Sequence, residues 1–343
     1  MPLLEEKALL TFLPDIRWAC GFTGSNAVLV AGKEGSHLVT DGRYREQAAL
    51  EVREADVHVT SGDLLDYVGE AGLLGDEQQV RFQPEHLSYA QYRTLTERFP
   101  AVEWLPAEKL LVHRVASKRP DEIDAIRRAQ RITEEVFAHL TTYIRPGMTE
   151  REVAAEVVYR HLHRGAERMS FDPIVASGPN SALPHARPTD RRISRGDALV
   201  LDFGCVVDGY ASDMTRTVVV GAPPDGFEPV YRLVRAAQEA AVAAARSGIP
   251  ARRLDGAARD VIAAAGYAEA FSHGLGHGIG LQTHEWPRVS FQVEDELPAG
   301  AVVTIEPGVY LPGRFGVRIE DMVVLRPDGA ENLTAATRDL LVL

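Results

Sequence analysis

Only two cysteines, Cys20 and Cys205, occur in 343 residues, so the chain lacks the material for a disulfide framework or a cysteine-held zinc site. Cys205 lies in an apolar, β-rich run and reads as a small core residue. No apolar run approaches the length of about 18 residues that a membrane-crossing helix needs. Near the start stand Glu5 and Glu6, with no basic segment ahead of an apolar one, so no secretory leader is expected. Positive charge is also scarce. Against 49 Asp and Glu there are 37 Lys and Arg, a net charge of −12, the opposite of the concentrated basic face of a nucleic-acid binder. The short basic clusters, Lys118-Arg119 and Arg191-Arg192-Ile193-Ser194-Arg195, read as solvated surface. Internal repeats and low-complexity tracts are missing too. These absences leave a cytoplasmic globular protein, with no nucleic-acid or membrane partner, as the expectation.

What is present fits about two domains, each long enough for its own core. In the first hundred-odd residues short β-like runs alternate with helical ones. Segments 27–31 and 37–40 are strand-like around a Gly32-Lys33-Glu34-Gly35 turn, 43–52 is helical, 57–60 is a strand, and 88–98 is helical. That alternation indicates an α/β layer domain over 1–115. A boundary follows at 112–120. Pro120 suits the first turn of a helix, and 121–144 carries Ile123, Ile126, Ala129, Ile132, Val136 and Leu140 on one face. Thr149-Glu150-Arg151-Glu152 is a capping box opening a helix that runs to about Gly165. Further helices are expected at 228–246 and 251–265, and strands at 198–205, 213–220, 301–305 and 317–325. Residues 120–343 therefore read as an α+β domain of catalytic type.

Chemistry concentrates in Phe271-Ser272-His273-Gly274-Leu275-Gly276-His277-Gly278-Ile279-Gly280-Leu281, followed by His284-Glu285-Trp286-Pro287-Arg288. Three histidines fall within twelve residues, interleaved with glycines. Histidine supplies a neutral nitrogen ligand or a proton donor near neutral pH, and glycine lets backbone approach a neighbour closely. Alone, the run is ambiguous, since a glycine-rich loop with buried, hydrogen-bonded histidines is a fair alternative.

Four acids change the balance. Asp202 lies inside the apolar strand Leu199-Val200-Leu201-Asp202-Phe203, where an unpaired carboxylate is costly. The strand leads to Asp208-Gly209, a strong hairpin-turn signal. With those two as the turn residues, Asp202 faces Thr215, and Asp213 lies two residues from that partner on the same face. The pair would then be a diagonal one, about 7–8 Å apart between backbones. A slip of one residue in register would separate them. Glu306 ends the run Val302-Val303-Thr304-Ile305, and alternation in 317–325 puts Arg318 and Glu320 on one face. Asp321 reads instead as a solvent-facing strand residue or a structural ion pair. Four clustered carboxylates require countercharge, and two divalent ions supply it. Carboxylates with a single imidazole suit Mn²⁺, Co²⁺ or Zn²⁺. Two such ions about 3.5–4 Å apart can activate a nucleophile and polarise a carbonyl, which points to hydrolysis.

With these pieces in order, the chain resembles the metal-dependent Xaa-Pro peptidases, prolidase and aminopeptidase P, of the pita-bread metallopeptidase superfamily. Gly21-Phe22-Thr23-Gly24-Ser25-Asn26 and Thr40-Asp41-Gly42-Arg43-Tyr44 resemble the creatinase-type N-terminal domain, and residues from about 120 onward resemble the pita-bread domain. The resemblance implies a hydrolase that cleaves the Xaa-Pro bond of dipeptides or of peptide N-termini. It implies two metal ions, Mn²⁺ or Co²⁺ first and Zn²⁺ as a further option, held by Asp202, Asp213, His277, Glu306 and Glu320. Asp213 and Glu320 would bridge the ions and Asp202 would bind one of them. Glu306 would also shuttle a proton. His185 and His284 would contact substrate and stabilise the tetrahedral intermediate, while His273, Arg318 and Arg288 would line the substrate pocket, with the glycines letting the loop approach the ions. A homodimer built through the N-terminal domain is expected. The alternative from another class is a catalytically inactive pita-bread-fold protein that only binds peptides. Metal-free amidinohydrolysis fits poorly because the ligand set is complete, and methionine aminopeptidases lack both this N-terminal domain and the His-Glu-x-Pro turn.

Overall fold

In a computed structural model that describes residues 3–76 and 78–343, the chain divides into two units, Met1–Val115 and Ala116–Leu343. The first is organised by side-chain alternation. Ala27–Gly32 and Gly35–Asp41 form the expected hairpin, with Gly32 opposite Gly35. The sheet has six strands in the order Asp56–Thr60, Gly35–Asp41, Ala27–Gly32, Ala8–Leu10, Gln79–Phe82, Glu103–Pro106. Its central pairings are antiparallel and its outer ones parallel. Successive residues point to opposite faces. Leu9, Val28 and Val30 accordingly join an apolar cluster with Val68 and Leu95 of the Leu64–Glu70 and Tyr89–Arg98 helices. Leu10, Ala27 and Leu29 join another with Ile16 and Ala48 of Leu13–Cys20 and Arg45–Glu51. The result is a three-layer α/β unit. The central strand Ala8–Leu10 gave no readable signal, because three residues are too few to establish a period.

In the second unit, Pro120–Tyr143 begins with its proline at the first turn and buries Ile123, Ile126, Ala129, Val136 and Leu140. Glu150–His163 opens on the predicted capping box, with Thr149 and Glu152 bonded reciprocally. Phe227–Ala244 and Ala251–Ala264 complete the long helices. Four small antiparallel sheets lie against them, and the strands of the five-stranded one run Glu285–Val289, Gly276–Gly278, Val302–Ile305, Asp321–Arg326, Gly329–Asn332. Valines and leucines of Phe227–Ala244 and Ala251–Ala264 pack on Val303, Ile305, Val323 and Leu325. Each such fully buried aliphatic contributes about 1.5–3 kcal/mol. No helix among the described residues is long and apolar enough to cross a membrane.

Three expectations are corrected. The single strand foreseen at 317–325 is two, Phe315–Arg318 and Asp321–Arg326, because the Glu320 N–H turns aside to donate to Thr215 O at 3.1 Å. Arg318 therefore pairs with Gly308 and Asp321 with Ile305. Lys118 is not solvated surface: its side chain is 1% exposed and ion-paired to Glu285. Arg191 is half-buried in a bidentate pair with Asp197. Of the two readings open for Asp321, the structural ion pair holds: it is fully buried against Arg216 at 2.8 Å.

Candidate active site

The hairpin fixes the first two acids. Asp208 and Gly209 have φ of +50° and +80°, the left-handed pair that a tight hairpin turn demands. The register then places Thr215 opposite Asp202, as the turn residues predict. A Cβ on Gly204 would come within 1.8 Å of Ser212 O, so only glycine allows the strand to lie this close to Asp213. Both aspartates are buried.

Strand ends deliver the other two. Glu306 follows Val302–Ile305 and is tied to the histidine segment by its N–H, 2.9 Å from Leu275 O. Glu320 sits in the break between two strands, where Thr215 Oγ1 donates to its Oε2 at 2.7 Å. Thr304 does similar work on the opposite side. Its hydroxyl donates to Glu306 Oε1 at 3.3 Å and accepts from the His277 N–H at 3.1 Å.

His277 lies in the strand Gly276–Gly278 rather than in a loop. The flanking glycines meet neighbouring strands and not the acid cluster. A Cβ on Gly276 would lie 2.0 Å from Thr304 O, and one on Gly278 would lie 2.6 Å from Trp286 O. Their service is close strand packing, and Gly276 also lines the cavity that holds the acids. The His277 Nδ1 is 3.0 Å from Gly278 O. A carbonyl can only accept, so Nδ1 carries the proton and Nε2 presents a lone pair. That nitrogen lies 3.7 Å from Asp213 Oδ2 and 3.5 Å from Glu306 Oε1.

Ligand atoms of Asp213, His277 and Glu320 all lie within 4.8 Å of one another, spacing that one cation could span. Two buried carboxylate oxygens, Asp202 Oδ1 and Glu320 Oε1, have no hydrogen-bond partner among the described residues. Uncompensated buried acceptors are costly, and a cation between them would remove the deficit. Electrostatics agree. Burial, then Glu320, Asp202 and Glu306, push Asp213 well above the usual carboxylate range. Burial, then Glu306 and Asp202, do the same to Glu320. Glu306 is pushed up to about 7 by burial, with Arg318 opposing and Asp202 adding. Burial, with His284 beside it, depresses His277 to about 4, keeping the imidazole neutral and able to ligate. The donor set fits divalent metal.

Around this centre the remaining expected residues converge. His185, His273, His284, Arg288 and Arg318 line the same cavity of about 790 Å³ as Asp202, Asp213, His277, Glu306 and Glu320. His284 stacks obliquely on His277, with ring centroids 4.3 Å apart. Arg318 is the buried cation of the site, donating to Asp202 Oδ2 from Nη2 and to Pro184 O from Nη1 at 3.1 Å. Arg288 is solvent-exposed while lining the same cavity.

Tyr310 is a member that the sequence did not reveal. Arg318 Nη1 donates to its hydroxyl at 2.8 Å, and that hydroxyl lies 2.9 Å from His273 Nε2. His273 Nδ1 faces Gly274 O at 2.7 Å, so Nε2 accepts the tyrosine proton. A tyrosine in an apolar strand reads as core, and only its place four residues after Glu306 hinted otherwise. Burial and then Arg318 hold His273 down to about 4, preserving the neutral tautomer this chain of donors needs.

A Xaa-Pro dipeptidase of Pyrococcus furiosus is 38% identical over 93% of this chain and 89% of its own length. Among solved structures, a Xaa-Pro dipeptidase from Bacillus anthracis superposes with a TM-score of 0.96 at 36% identity, covering 98% of this chain and 95% of that one. An X-Pro aminopeptidase from Thermotoga maritima gives 0.92 at 36% identity, covering 98% of each. Residues 6–114 match the Creatinase/Prolidase N-terminal domain. Because residues 124–327, which carry every acid and histidine of the site, match Metallopeptidase family M24, the chain belongs to that family of metal-dependent hydrolases.

Proposed function

We propose that this protein is a dinuclear metallo-exopeptidase that hydrolyses the Xaa-Pro bond, with dipeptides as its first substrates. One observation carries the reading: buried carboxylates with orphaned oxygens surround a neutral imidazole, in a cavity whose wall also brings histidines and arginines together with Phe171, Ile174 and Trp286. Asp202, Asp213, His277, Glu306 and Glu320 would hold two ions, with Asp213 and Glu320 shared between them. Mn²⁺ or Co²⁺ is expected, Zn²⁺ being compatible with the same donors. When bound, the ions lower the pKa of a water and polarise the scissile carbonyl.

The chain's own groups do the rest. His185 and His284 reach the cavity from opposite segments and donate to the oxygen where charge develops. Glu306 accepts a proton from the attacking water and returns it to the departing imino nitrogen. A proline amide offers no N–H and has a fixed ring, so recognition falls to shape and to the carboxylate end of the substrate. Arg318, held by Tyr310 and Asp202, and exposed Arg288 are the cations proposed for that end, with exposed Arg187 a third arginine in the cavity wall. An inactive peptide binder would have no use for a complete donor set. Both cysteines are buried and free, which suits a reducing cytoplasm, and a homodimer through the N-terminal unit is the proposed assembly.

Chelator-stripped protein reloaded with Mn²⁺ or Co²⁺ is expected to cleave a Xaa-Pro dipeptide, cleave its tripeptide extension more slowly, and leave a Xaa-Ala dipeptide intact. Failure on both proline peptides with both metals overturns the reading. Faster tripeptide cleavage moves it to aminopeptidase P. Light scattering on the eluting protein reads the assembly.

A further inference from the structure

His185 is carried on a segment whose side chains around it are largely open to solvent. Leu183 is 58% exposed, and His185 and Arg187 are exposed as well. The base of the segment is different. The Glu150 carboxylate, fully buried at the start of Glu150–His163, accepts from both sides of it. Its Oε1 takes the Ser177 N–H and hydroxyl, each at 2.8 Å, and its Oε2 takes the Thr189 N–H at 2.9 Å and hydroxyl at 2.6 Å. The Asn180 amide adds contacts to both oxygens, at 3.1 and 3.2 Å.

We infer that Glu150 is a positioning residue for His185: one buried carboxylate closes the base of segment 177–189 and so sets where the imidazole enters the cavity. The inference rests on the reading of His185 as a group that meets substrate.

Several details favour a dedicated clamp over ordinary helix capping. The cap of this helix is already made by Thr149 with Glu152, so Glu150 is not needed for it. Its acceptors are directed at residues 27 to 39 positions away in sequence. Ser177 also accepts from Arg191 Nη1 at 2.6 Å, and Arg191 is held in turn by Asp197. Gly178, at φ +50°, leaves no room for a side chain, since a Cβ would lie 2.5 Å from Arg191 Nη2 and 2.6 Å from Asp197 Oδ1. Farther up, Arg318 holds Pro184 O, and Ala186 is buried with Ala176 and Val200. His185 thus sits between two fixed points, with the rigid base set by Glu150. Carboxylate is the right chemistry there, because every neighbour offers a proton and only an acceptor satisfies them all.

Glu150→Gln tests this in the metal-loaded full chain with a Xaa-Pro dipeptide. The amide keeps the size but turns one acceptor into a donor facing donors. Misplacement of a reacting group by about 1 Å lowers turnover by up to about 100-fold. The expected result is a kcat lowered by about 10- to 100-fold, with KM nearly unchanged and metal content equal to wild type. The double variant Glu150→Gln with His185→Ala should be no slower than His185→Ala alone. Hydrogen exchange should quicken in 177–189 and not in 276–289. An unchanged kcat, a loss that adds to that of His185→Ala, or metal loss matching the activity loss overturns the inference. Should Glu150→Gln fail to fold, Thr189→Val, which removes the hydroxyl donor to Glu150 together with its acceptor contacts to the Arg191 N–H and the Asn180 amide, takes its place in the same pairing with His185→Ala, and the same results support or overturn the clamp. Hydrogen exchange needs no turnover. Wild type that is inactive on every proline peptide therefore counts against the Xaa-Pro reading, while unchanged exchange in 177–189 counts against the clamp.

Discussion

The Thr215 hydroxyl stands between Glu320 and Arg318, donating to Glu320 Oε2 at 2.7 Å and accepting from Arg318 Nε at 3.0 Å. It is the residue opposite Asp202 in the hairpin, so one strand position orients an acid from another segment and the buried cation beside it. Groups that orient metal-binding side chains typically contribute 10–100-fold to affinity. Thr215→Val keeps the volume and removes both bonds. Metal affinity should fall by about 10- to 100-fold, read by competition with a chromophoric chelator, while the fold persists.

His277 and His284 lie side by side, yet only His277 presents its Nε2 to Asp213 and Glu306. His277→Ala should therefore lose bound metal, measured by elemental analysis after gel filtration. His284→Ala should retain it and lose kcat by about 100- to 1,000-fold, the usual loss for one donor to a developing oxyanion. Equal metal loss in the two variants would place both histidines in the ligand set.

Much of this was legible because it rests on short-range rules. Asp208-Gly209 dictated the turn, the turn dictated the register, and the register placed Asp202 against Thr215. Thr149 and Glu152 marked a helix start in the same way. The illegible parts depend on distant contacts. Arg318-Ile319-Glu320-Asp321 alternates like one strand, and only Thr215, more than a hundred residues earlier, breaks it at Glu320. Lys118 looks like surface in a basic, proline-bounded stretch until Glu285 covers it. Glu150 was visible as part of a capping motif, but its loop donors lie 27 to 39 residues on and carry no local signature.

That Lys118–Glu285 pair lies beside His284, with side chains 1% and 9% exposed, and Gly280 leaves the space it fills. Removing one partner of a buried pair strands the other charge and costs about 3–5 kcal/mol. Lys118→Met should be destabilised by about that amount in chemical denaturation. Lys118→Met combined with Glu285→Met should recover most of the loss, since apolar replacement of both partners is often neutral. If the double variant is as unstable as the single one, the stranded carboxylate is not the cause.

His161, fully buried on Glu150–His163, gives the fold an acid limit. Its Nδ1 lies 2.8 Å from Val157 O and its ring meets Phe203 edge to face, while Nε2 has no partner among the described residues. Burial depresses the imidazole from 6.5 to about 4, so the folded protein holds it neutral where the unfolded chain would protonate it. The sign follows directly: above pH 6.5 both states are neutral and the group is silent, and as pH falls from 6.5 towards 4 the unfolded state takes up the proton first. Stability should therefore decline across that window, by about 3 kcal/mol at its lower end if this group acts alone. His161→Leu removes the titration while keeping an apolar side chain against Phe203. Denaturation midpoints at about pH 7 and about pH 5, either side of the unfolded imidazole's range, should differ less for this variant than for wild type. An equal difference would assign the acid sensitivity to other groups.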